Sequence, residues 1–512
     1  MHTHLLAALP PLQTPKSSDL IGLLPELVMS GGFILLLLLD LVVPAPRRTL
    51  LAWFSMMVLG AAMGVTVWGW FDAANPHGVY FDALVYDRFA MFANGIIIAV
   101  AALVVMISPG YLNRRGLHHG EYYALIIGAS VGMMFLAGAN SLMTIFLGIE
   151  LLSISLYILS GFARTEERSL EAAMKYLLLG GFASGILLYG MVLVYGETGH
   201  TQLPAIAAAL RAGVPGGSAP TDKLFLVGVG LLFVGFAFKI SAAPFHFWTP
   251  DVYQGSPTSV TTFMSVATKV AAFAALIRTF SYTFSDSYAQ WNGIVAFVAI
   301  ISMVLGNVAA ITQTSLKRML AYSSIAQAGY ILIGVAVSVT GNGSDPGVIA
   351  ALYYLAAYAA TQVGAFAVIT VMAGRGEDLD SYDGLRGLAY RRPYVAAAMG
   401  LFLLSLGGFP PTAGFFGKFF IFSAAIQGGQ TSLALWGIAT SVISVFYYLR
   451  VALLMYQRPR EGEPQYEWSR TSLASGTALF AAAAGTLVLG VFVFLIYSVA
   501  QSAQQSVVAL LR

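Results

Sequence analysis

The sequence predicts an all-α, polytopic membrane protein with about fourteen transmembrane helices. Three observations lead to this prediction: 58% of the 512 residues are hydrophobic, only 10% are charged, and the apolar residues lie in long runs. A soluble domain carries charges at about a quarter of its positions, so the chain has too few charges to cover a water-facing surface. A spanning helix needs roughly 20 apolar residues, and the mean hydropathy of +0.78 leaves room for many.

The individual spans follow from the apolar runs, read from the first residue to the last. Their approximate limits are 20–43, 50–71, 84–108, 121–137, 139–162, 170–196, 222–240, 254–282, 291–311, 318–340, 346–373, 394–426, 431–456 and 474–499. The fourth and fifth spans are separated by little more than Gly138–Asn140 and are expected to form a tight helical hairpin. The sequence contains no stretch that predicts a soluble domain.

Composition also excludes several classes of function. Cysteine is absent, which rules out disulfides, thiolate metal sites and iron–sulfur ligation by this chain. The net charge of +3 is small and its basic residues are scattered, so nucleic-acid binding is not expected. The first 20 residues lack a basic segment followed by an apolar core and do not resemble a cleaved signal peptide.

The distribution of Lys and Arg predicts the orientation, because cytoplasmic loops carry an excess of both. Loops after odd-numbered spans hold most of them: Arg47, Arg48, Arg114, Arg115, Arg164, Arg168, Lys317, Arg318, Arg375, Arg386, Arg391, Arg392, Arg458, Arg460 and Arg470. The other side holds Lys16, Arg88, Arg211, Lys223 and Arg512, with Arg278 near a span end. The odd loops are therefore predicted to be cytoplasmic, and both termini to face outward.

Several charges fall inside the predicted spans, where each costs about 2.5–3.5 kcal/mol on insertion scales. They are Lys175, Lys239, Lys269, Lys418, Arg450, Glu150, Glu26 and Asp40. A structural ion pair or a side chain that reaches the interface explains charges near span ends. That structural explanation is favoured for Arg450, Glu26 and Asp40. For Lys175, a structural role and a functional role are equally supported.

Lys239, Lys269, Lys418 and Glu150 lie deeper, and lysines outnumber carboxylates among them. Burial disfavours the charged form of a lysine, whereas a nearby carboxylate favours it. A lysine held between these two effects can take up and release a proton after modest changes around it. The pattern therefore predicts a proton relay.

Two spans are predicted to be broken near their middles. Lys239 precedes the segment SAAP at 241–244, and Lys418 follows GGFPPTAG at 407–414. Proline removes a backbone donor and clashes with the preceding turn, and such breaks are tolerated at membrane depth only where protein or water satisfies the backbone. His246 lies beside the first break, where an interfacial or structural role is favoured over titration.

The broken seventh and twelfth spans lie five helices apart, and a repeat of five helices must invert in the membrane. The sequence therefore predicts two inverted five-helix repeats, as in many transporters. The predicted divisions are residues 1–120 for spans one to three, 121–282 for the first repeat, 291–456 for the second, and 474–512 for the last span and a short tail.

Three long motifs resemble the subunit N family of the respiratory NADH–quinone oxidoreductase and the corresponding chain of the related plastoquinone enzyme in cyanobacteria and chloroplasts. They are KISAAPFHFWTPDVYQGSPT at 239–258, LKRMLAYSSIA at 316–326 and SLGGFPP at 405–411. The resemblance extends over residues 121–456. It implies fourteen helices, a place in the membrane arm of the complex, and a proton channel within the subunit.

The resemblance also implies roles for individual residues. The family's glutamate of the fifth helix corresponds to Glu150, and its lysines of the seventh, eighth and twelfth helices to Lys239, Lys269 and Lys418. Sister subunit M has a glutamate where Lys418 stands, and sister subunit L continues into a long amphipathic helix, whereas this chain has about a dozen residues after its last predicted span. Many relatives have histidine where this chain has Gln327, which can hold water but cannot take a proton.

The family resemblance implies partners and cofactors as well. The chain is expected to contact other membrane-arm subunits and lipid, and to bind no cofactor itself. NADH, flavin, iron–sulfur clusters and quinone are expected to belong to the whole complex. The expected location is a bacterial inner membrane, with a thylakoid-type membrane as the alternative.

The sequence hypothesis is that Glu150 and Lys239 form a coupled pair on the cytoplasmic side, that Lys269 joins the two repeats at mid-membrane, and that Lys418 releases the proton outward. Lys175 is a further candidate for the relay. Two alternatives remain open at this point. One is an autonomous cation/proton antiporter of the Mrp type, and the other is a scaffold that anchors neighbouring subunits.

Overall fold

A computed structural model of the chain describes residues 17–73, 75–212, 223–338, 344–374, 381–458 and 471–511. Almost all of these residues are helical, and twelve of the described helical segments are long and apolar enough to cross a bilayer. A helix satisfies its own backbone hydrogen bonds, which a bilayer interior demands. The predicted all-α, polytopic membrane fold is confirmed.

The first three spans are formed by four helices and one small hairpin. The elements are α1 (Ser17–Gly22), α2 (Leu24–Val42), α3 (Thr49–Asp72), β1 (His77–Val79), β2 (Leu84–Tyr86) and α4 (Arg88–Arg115). The predicted limits of the third span, 84–108, are wrong at both ends. Strand β2 occupies its start, because Asp87 leaves the strand and caps α4 by accepting from the Ala90 N–H at 2.7 Å. At its other end, the helix continues past Pro109.

The next five spans contain eight helices, some of them short. They are α5 (Glu121–Ala137), α6 (Leu142–Ser160), α7 (Glu167–Thr198), α8 (Leu203–Ala212), α9 (Lys223–Lys239), α10 (Trp248–Gly255), α11 (Thr258–Met264) and α12 (Ala267–Leu276), which continues as a π-helical turn (Ile277–Thr283). The tight hairpin between α5 and α6 is confirmed. Its two helices touch backbone to backbone, since a Cβ added to Gly132 would lie 2.5 Å from the Leu152 nitrogen.

The remaining spans contain ten helices. They are α13 (Tyr288–Ile311), α14 (Leu316–Ala336), α15 (Pro346–Met372), α16 (Tyr382–Leu385), α17 (Leu388–Arg391), α18 (Pro393–Gly407), α19 (Ala413–Gln427), α20 (Thr431–Tyr456), α21 (Leu473–Val491) and α22 (Val493–Leu511). The predicted last span, 474–499, is wrong, because the helix is interrupted at Phe492 and resumes to Leu511. Gly490 lies against the Pro411 carbonyl there, and α22 turns the polar side chain of Gln504 into the protein.

Both predicted helix breaks are present. Helix α9 ends at Lys239, and the chain passes through Ser241 at φ +63° before α10 begins. Helix α18 ends at Gly407, and Gly408 has φ +87°, a conformation that favours glycine. The eighth span is also interrupted, at Ser265–Val266 between α11 and α12. The sequence analysis does not predict this interruption, because neither proline nor glycine marks it.

The spans differ in how deeply they are enclosed. The apolar windows of the eighth, tenth and eleventh spans are 100%, 94% and 89% buried, whereas those of α2, α7 and α20 are 28%, 39% and 33% buried. The enclosed spans form the axis of the bundle, and the others present apolar faces to the surroundings. Lys269, on α12, therefore lies on the axis.

The basic residues of the odd-numbered loops gather at one end of the bundle, where ion pairs connect them. Arg115 pairs with Glu166, and Arg318 pairs with Asp251. Five basic residues of the orientation argument lie outside the described residues: Lys16, Arg375, Arg460, Arg470 and Arg512. The orientation itself and the inverted repeat remain predictions.

Candidate functional site

Lys239 is buried at the point where α9 stops. Lys239 is 4% exposed, and its ammonium donates to the Ser153 Oγ at 2.6 Å. The ammonium also lies 5.9 Å from the Tyr157 ring. Because Lys239 is the last residue of α9, the negative end of the helix dipole supports its positive charge.

Glu150 lies on α6, three residues before Ser153, and is half-buried. In the described structure the Glu150 carboxylate and the Lys239 ammonium form no ion pair within 4 Å. The Glu150 Oε1 atom is buried without a hydrogen-bond partner among the described residues. The carboxylate and the ammonium therefore share a site in which Ser153, rather than Glu150, holds the lysine directly.

Lys269 lies in the first turn of α12, just after the interruption of the eighth span. The residue is 1% exposed, and its ammonium donates to the Ser324 carbonyl of α14 at 2.6 Å. The Tyr358 ring centroid is 6.0 Å away. The interruption turns this lysine toward α14 and α15, the two helices that form the axis with α12.

Lys418 lies on α19, after the second break, and is 4% exposed. Its ammonium reaches back across the break to the carbonyls of Leu406 at 2.9 Å and Gly407 at 3.2 Å, and it donates to the Ser441 Oγ at 2.9 Å. The Tyr330 ring centroid lies 4.9 Å away. The broken helix thus supplies the carbonyls that hold this lysine.

Polar residues of α14 contact the surroundings of both Lys269 and Lys418. Ser324, whose carbonyl binds Lys269, exchanges a hydrogen bond with the Tyr358 hydroxyl at 2.8 Å. Its neighbour Ser323 bonds to the Tyr448 hydroxyl. Gln327 donates from Nε2 to that same hydroxyl and to the Leu406 carbonyl, both at 3.2 Å.

The Leu406 carbonyl accepts from both Gln327 and Lys418, so Lys418 belongs to one set of bonded groups with Gln327, Tyr448 and Ser323. Lys269 belongs to a second set with Ser324 and Tyr358, and no side-chain hydrogen bond joins the two sets in the described structure. Tyr354 donates its hydroxyl hydrogen to the Gln327 Oε1 and so orients the amide. Sequence reasoning missed these tyrosines and serines. The available signal was the density of Ser, Gln and Tyr on spans that are otherwise fully apolar and enclosed.

The connection between Lys239 and Lys269 is looser. Tyr253 of α10 lies between them, with its hydroxyl facing Ser241 of the first break and Ser324 beside Lys269. These separations exceed hydrogen-bond geometry, so the Tyr253 hydroxyl has no direct partner in the described structure. A buried polar group in such a position is normally satisfied by water.

Lys175 is not brought together with the other candidates. Its side chain is 39% exposed, and its ammonium pairs with Glu171 at 2.6 Å and with Asp251 at 2.7 Å. Asp251 in turn pairs with Arg318 at 2.7 Å. Lys175 thus belongs to an ion-pair network at the Lys/Arg-rich end of the bundle.

The remaining charged and titratable candidates lie apart from the lysine row. His246 packs its ring against Phe247 at 5.1 Å and is 7% exposed. Arg450 donates to the Ile311 carbonyl at 3.2 Å near the end of its span. Glu26 accepts from Asn94 at 2.9 Å within the first three spans.

One buried ion pair was not predicted. Arg278 donates through both terminal nitrogens to Asp87, at 2.8 and 3.1 Å, and the two side chains are 4% and 0% exposed. The sequence places Arg278 near a span end but gives no indication that Asp87, 191 residues earlier, is its partner. The pair fastens the π-helical turn of the eighth span to the start of α4.

Chemically, the site can hold and move protons. Three buried ammonium groups, one carboxylate and several hydroxyls cross the enclosed part of the bundle. Within the described residues there is no group of three or more His, Cys, Asp or Glu side chains that could hold a metal ion.

Comparison with known proteins gives consistent matches. Residues 139–444 match the family model described as "NADH:quinone oxidoreductase/Mrp antiporter, TM". The chain is 44% identical to the NADH-quinone oxidoreductase subunit N of Trichlorobacter lovleyi over 94% of this chain and 96% of that protein.

Two solved structures are similar in fold. A chain of respiratory complex I from Thermus thermophilus with bound aureothin has a TM-score of 0.78 and 32% identity, covering 93% of this chain and 98% of its own. A chain of the Mrp complex from Dietzia sp. DQ12-45-1b has a TM-score of 0.82 and 22% identity, covering 95% of this chain and 97% of its own. At that identity the second likeness concerns the fold alone.

Proposed function

The chain belongs to the subunit N family of the proton-pumping NADH–quinone oxidoreductases, and on that premise we propose that it carries protons through its buried Glu150, Lys239, Lys269 and Lys418. It is a subunit of a translocase enzyme complex, within its membrane arm. The redox chemistry is proposed to take place in other subunits, and its energy to reach this chain through their contacts.

A single observation carries this proposal. Three lysines that are at most 4% exposed lie inside the bundle, and α14 supplies groups beside two of them, the Ser324 carbonyl at Lys269 and the Gln327 amide near Lys418. A lysine at membrane depth costs about 2.5–3.5 kcal/mol to insert. Retaining three of them in one row is expensive for a scaffold but necessary for a relay.

In the proposed sequence, a proton enters near Glu150 and Lys239 and passes to Lys269. Water beside Tyr253 would bridge this first transfer. The second transfer, from Lys269 to Lys418, would run along the hydroxyls of Ser324, Ser323 and Tyr448. Water is proposed to bridge Ser324 to Ser323 and Tyr448 to Lys418, because no side-chain hydrogen bond joins either pair in the described structure. A hydroxyl group can accept one proton while it gives up another, whereas an amide cannot. Gln327 is therefore proposed to position the Tyr448 hydroxyl and the Leu406 carbonyl rather than to titrate.

The proposed direction is from the cytoplasm outward, with Lys418 as the release site. The support is the excess of Lys and Arg in the odd-numbered loops, together with the ion pairs that gather those residues at one end. Both termini would then face outward. The proposed location is the bacterial inner membrane. Lys175, which is partly exposed at the proposed cytoplasmic end, is proposed to act near the proton entrance.

Replacing Lys239 tests the proposal. In the assembled complex, reconstituted in vesicles, Lys239→Ala is expected to abolish proton uptake through this chain, because the variant removes the buried group that loads from Glu150. Proton uptake per NADH oxidised should be measured with a pH-sensitive dye. Lys223→Ala, which removes an exposed lysine at the other end of α9, is the control and should leave the ratio unchanged. Unaltered pumping in Lys239→Ala would refute the assignment.

An autonomous Mrp-type antiporter is the competing function, and its support is the shared fold at 22% identity. The subunit N relative is twice as similar in sequence and equally complete in coverage. Reconstituting the purified chain alone separates the two. Sodium- or potassium-coupled proton exchange by the isolated chain would favour the antiporter. If the isolated chain shows no such exchange while the assembled complex pumps protons, the relay is favoured.

A further inference from the structure

A groove of about 690 Å³ opens between α18 and α21, at the end of the bundle that carries the Lys/Arg-rich loops. We propose that this α18–α21 groove binds one anionic phospholipid, with the phosphate at the rim and an acyl chain along the floor. The proposal does not depend on the proton relay, because neither helix face that lines the groove contributes a relay residue.

Two arginines form the rim of the groove. Arg391 ends α17 and Arg392 precedes α18, and both line the opening. Arg392 donates from Nη1 to the Thr471 Oγ1 at 3.3 Å, so the rim joins the two sides of the groove. A guanidinium matches the oxygens of a phosphate with two parallel hydrogen bonds.

The floor of the groove is apolar and has free space. Leu401, Leu479, Phe480 and Ala483 line it, and Phe480 is 75% exposed. A Cβ added to Gly476 would meet no atom within 4 Å. A chain of methylene groups fits such a surface without any rearrangement.

Physical chemistry then decides which lipid the groove selects. An acyl chain gains little by moving from the bilayer to an apolar groove, because lipid tails are as apolar as the protein surface. The apolar floor therefore provides fit, and the selectivity must come from the charges at the rim. Basic pockets between transmembrane helices on the cytoplasmic side are suited to anionic headgroups.

The depth of the groove agrees with this assignment. Tyr394, one residue into α18, is 89% exposed beside the arginines. Exposed tyrosines concentrate at the level of the headgroups. The rim would thus lie at the phosphate layer and the floor at the level of the acyl chains.

Photo-crosslinking in the assembled complex tests the proposal. The complex is placed in phosphatidylcholine nanodiscs that contain a small fraction of either phosphatidylglycerol or phosphatidylcholine with a photoreactive group on one acyl chain. After irradiation, modified peptides are identified by mass spectrometry. We expect the phosphatidylglycerol probe to label peptides that contain 393–401 and 473–483 at least about fivefold more than the phosphatidylcholine probe, because basic residues near the headgroups favour an anionic lipid.

Three variants separate the rim from the floor. The double variant Arg391→Gln, Arg392→Gln should lower labelling by phosphatidylglycerol at least about fivefold. Gly476→Trp fills the open floor and should remove labelling by both probes. The control, Arg47→Gln with Arg164→Gln, removes two exposed arginines of the same end that do not line the groove, and labelling should persist. NADH oxidation verifies that each complex has assembled.

Two results would overturn the proposal. Equal labelling by both lipids, unaffected by the arginine variant, would mean that the groove is ordinary lipid-facing surface. Labelling of the isolated chain that vanishes in the assembled complex would mean that a neighbouring subunit covers the groove.

Discussion

The two broken spans hold their lysines at equivalent places but with different partners. Lys239 is itself the last residue of α9, whereas Lys418 reaches from α19 back to the final carbonyls of α18. Both ammonium groups therefore lie at the carboxyl end of a half-helix, where the helix dipole stabilises positive charge. Glu150 lies three residues before Ser153, the direct partner of Lys239, while the described groups around Lys418 are carbonyls, a hydroxyl and a ring.

This difference separates two tasks. The helix break alone is sufficient to hold a buried lysine, since Lys418 is held without a carboxylate. A nearby carboxylate favours the charged form of a lysine, as suits the proposed role of Lys239 in collecting the proton. Lys418, the proposed release site, has no such countercharge among the described residues.

The difference between the two lysine sites can be tested most directly by placing a carboxylate next to Lys418. In Ser441→Asp, the new carboxylate would lie beside the ammonium and stabilise its charge by about 1.4–4 kcal/mol. Proton uptake per NADH oxidised should fall at least about tenfold, because the proton is retained. Ser441→Asn has the same shape without the charge and should stay near wild type. Equal losses in both variants would point to a steric effect.

The converse variant removes the carboxylate from the first site. Glu150→Gln leaves Lys239 with Ser153 as its direct partner, so the lysine collects protons less readily, and pumping should fall about fivefold, equal to roughly 1 kcal/mol. Glu26→Gln, which changes another buried carboxylate that lies outside both repeats, is the matched control. A wild-type ratio in Glu150→Gln would mean that the two lysine sites are alike.

The proposed path between Lys269 and Lys418 can be tested at one hydroxyl. Tyr448→Phe removes the group that Ser323 and Gln327 share, and pumping should fall about threefold, or roughly 0.7 kcal/mol, consistent with the loss of one neutral hydrogen bond. Tyr447→Phe removes an equally buried hydroxyl on the same helix that bonds to Asn307 instead, and it should pump normally. Matching losses in the two variants would exclude a specific path through Tyr448.

The smallest effect is expected at Lys175. Its ion pairs are partly exposed, and such pairs contribute about 0.2–1 kcal/mol. Lys175→Ala should therefore reduce the ratio of protons to NADH less than about twofold, as measured in the same vesicles. A loss as severe as that of Lys239→Ala would make Lys175 a full member of the relay.

The sequence predicted those parts of the fold that depend on the free-energy cost of placing a single residue in the membrane. A charge in an apolar run and a proline inside a span are visible one residue at a time, so the broken spans and the buried Lys239, Lys269 and Lys418 could be identified. The last span was misjudged because its second half is amphipathic, with Gln504 turned inward. The interruption at Ser265–Val266 was missed because no glycine or proline accompanies it.

The contacts of the site could not be predicted, because they join residues far apart in the chain. Ser323 and Tyr448 are 125 residues apart, and nothing in the sequence around either residue indicates that the other is its partner. Similarly, the sequence hypothesis pairs Glu150 with Lys239, but nothing in the sequence indicates that Ser153 takes the hydrogen bond from Lys239.

The ion pair of Arg278 with Asp87 has a consequence for synthesis. At roughly 5–20 residues per second, a ribosome needs about 10–40 s to make the 191 residues between them. During that interval the first three helices are already inserted while the partner of Asp87 does not yet exist. The hydrogen bond from the Phe89 N–H forms later still, because its acceptor, Ser506, lies 417 residues downstream. The end of the bundle where α4 begins is therefore among the last parts of the molecule to close during biogenesis.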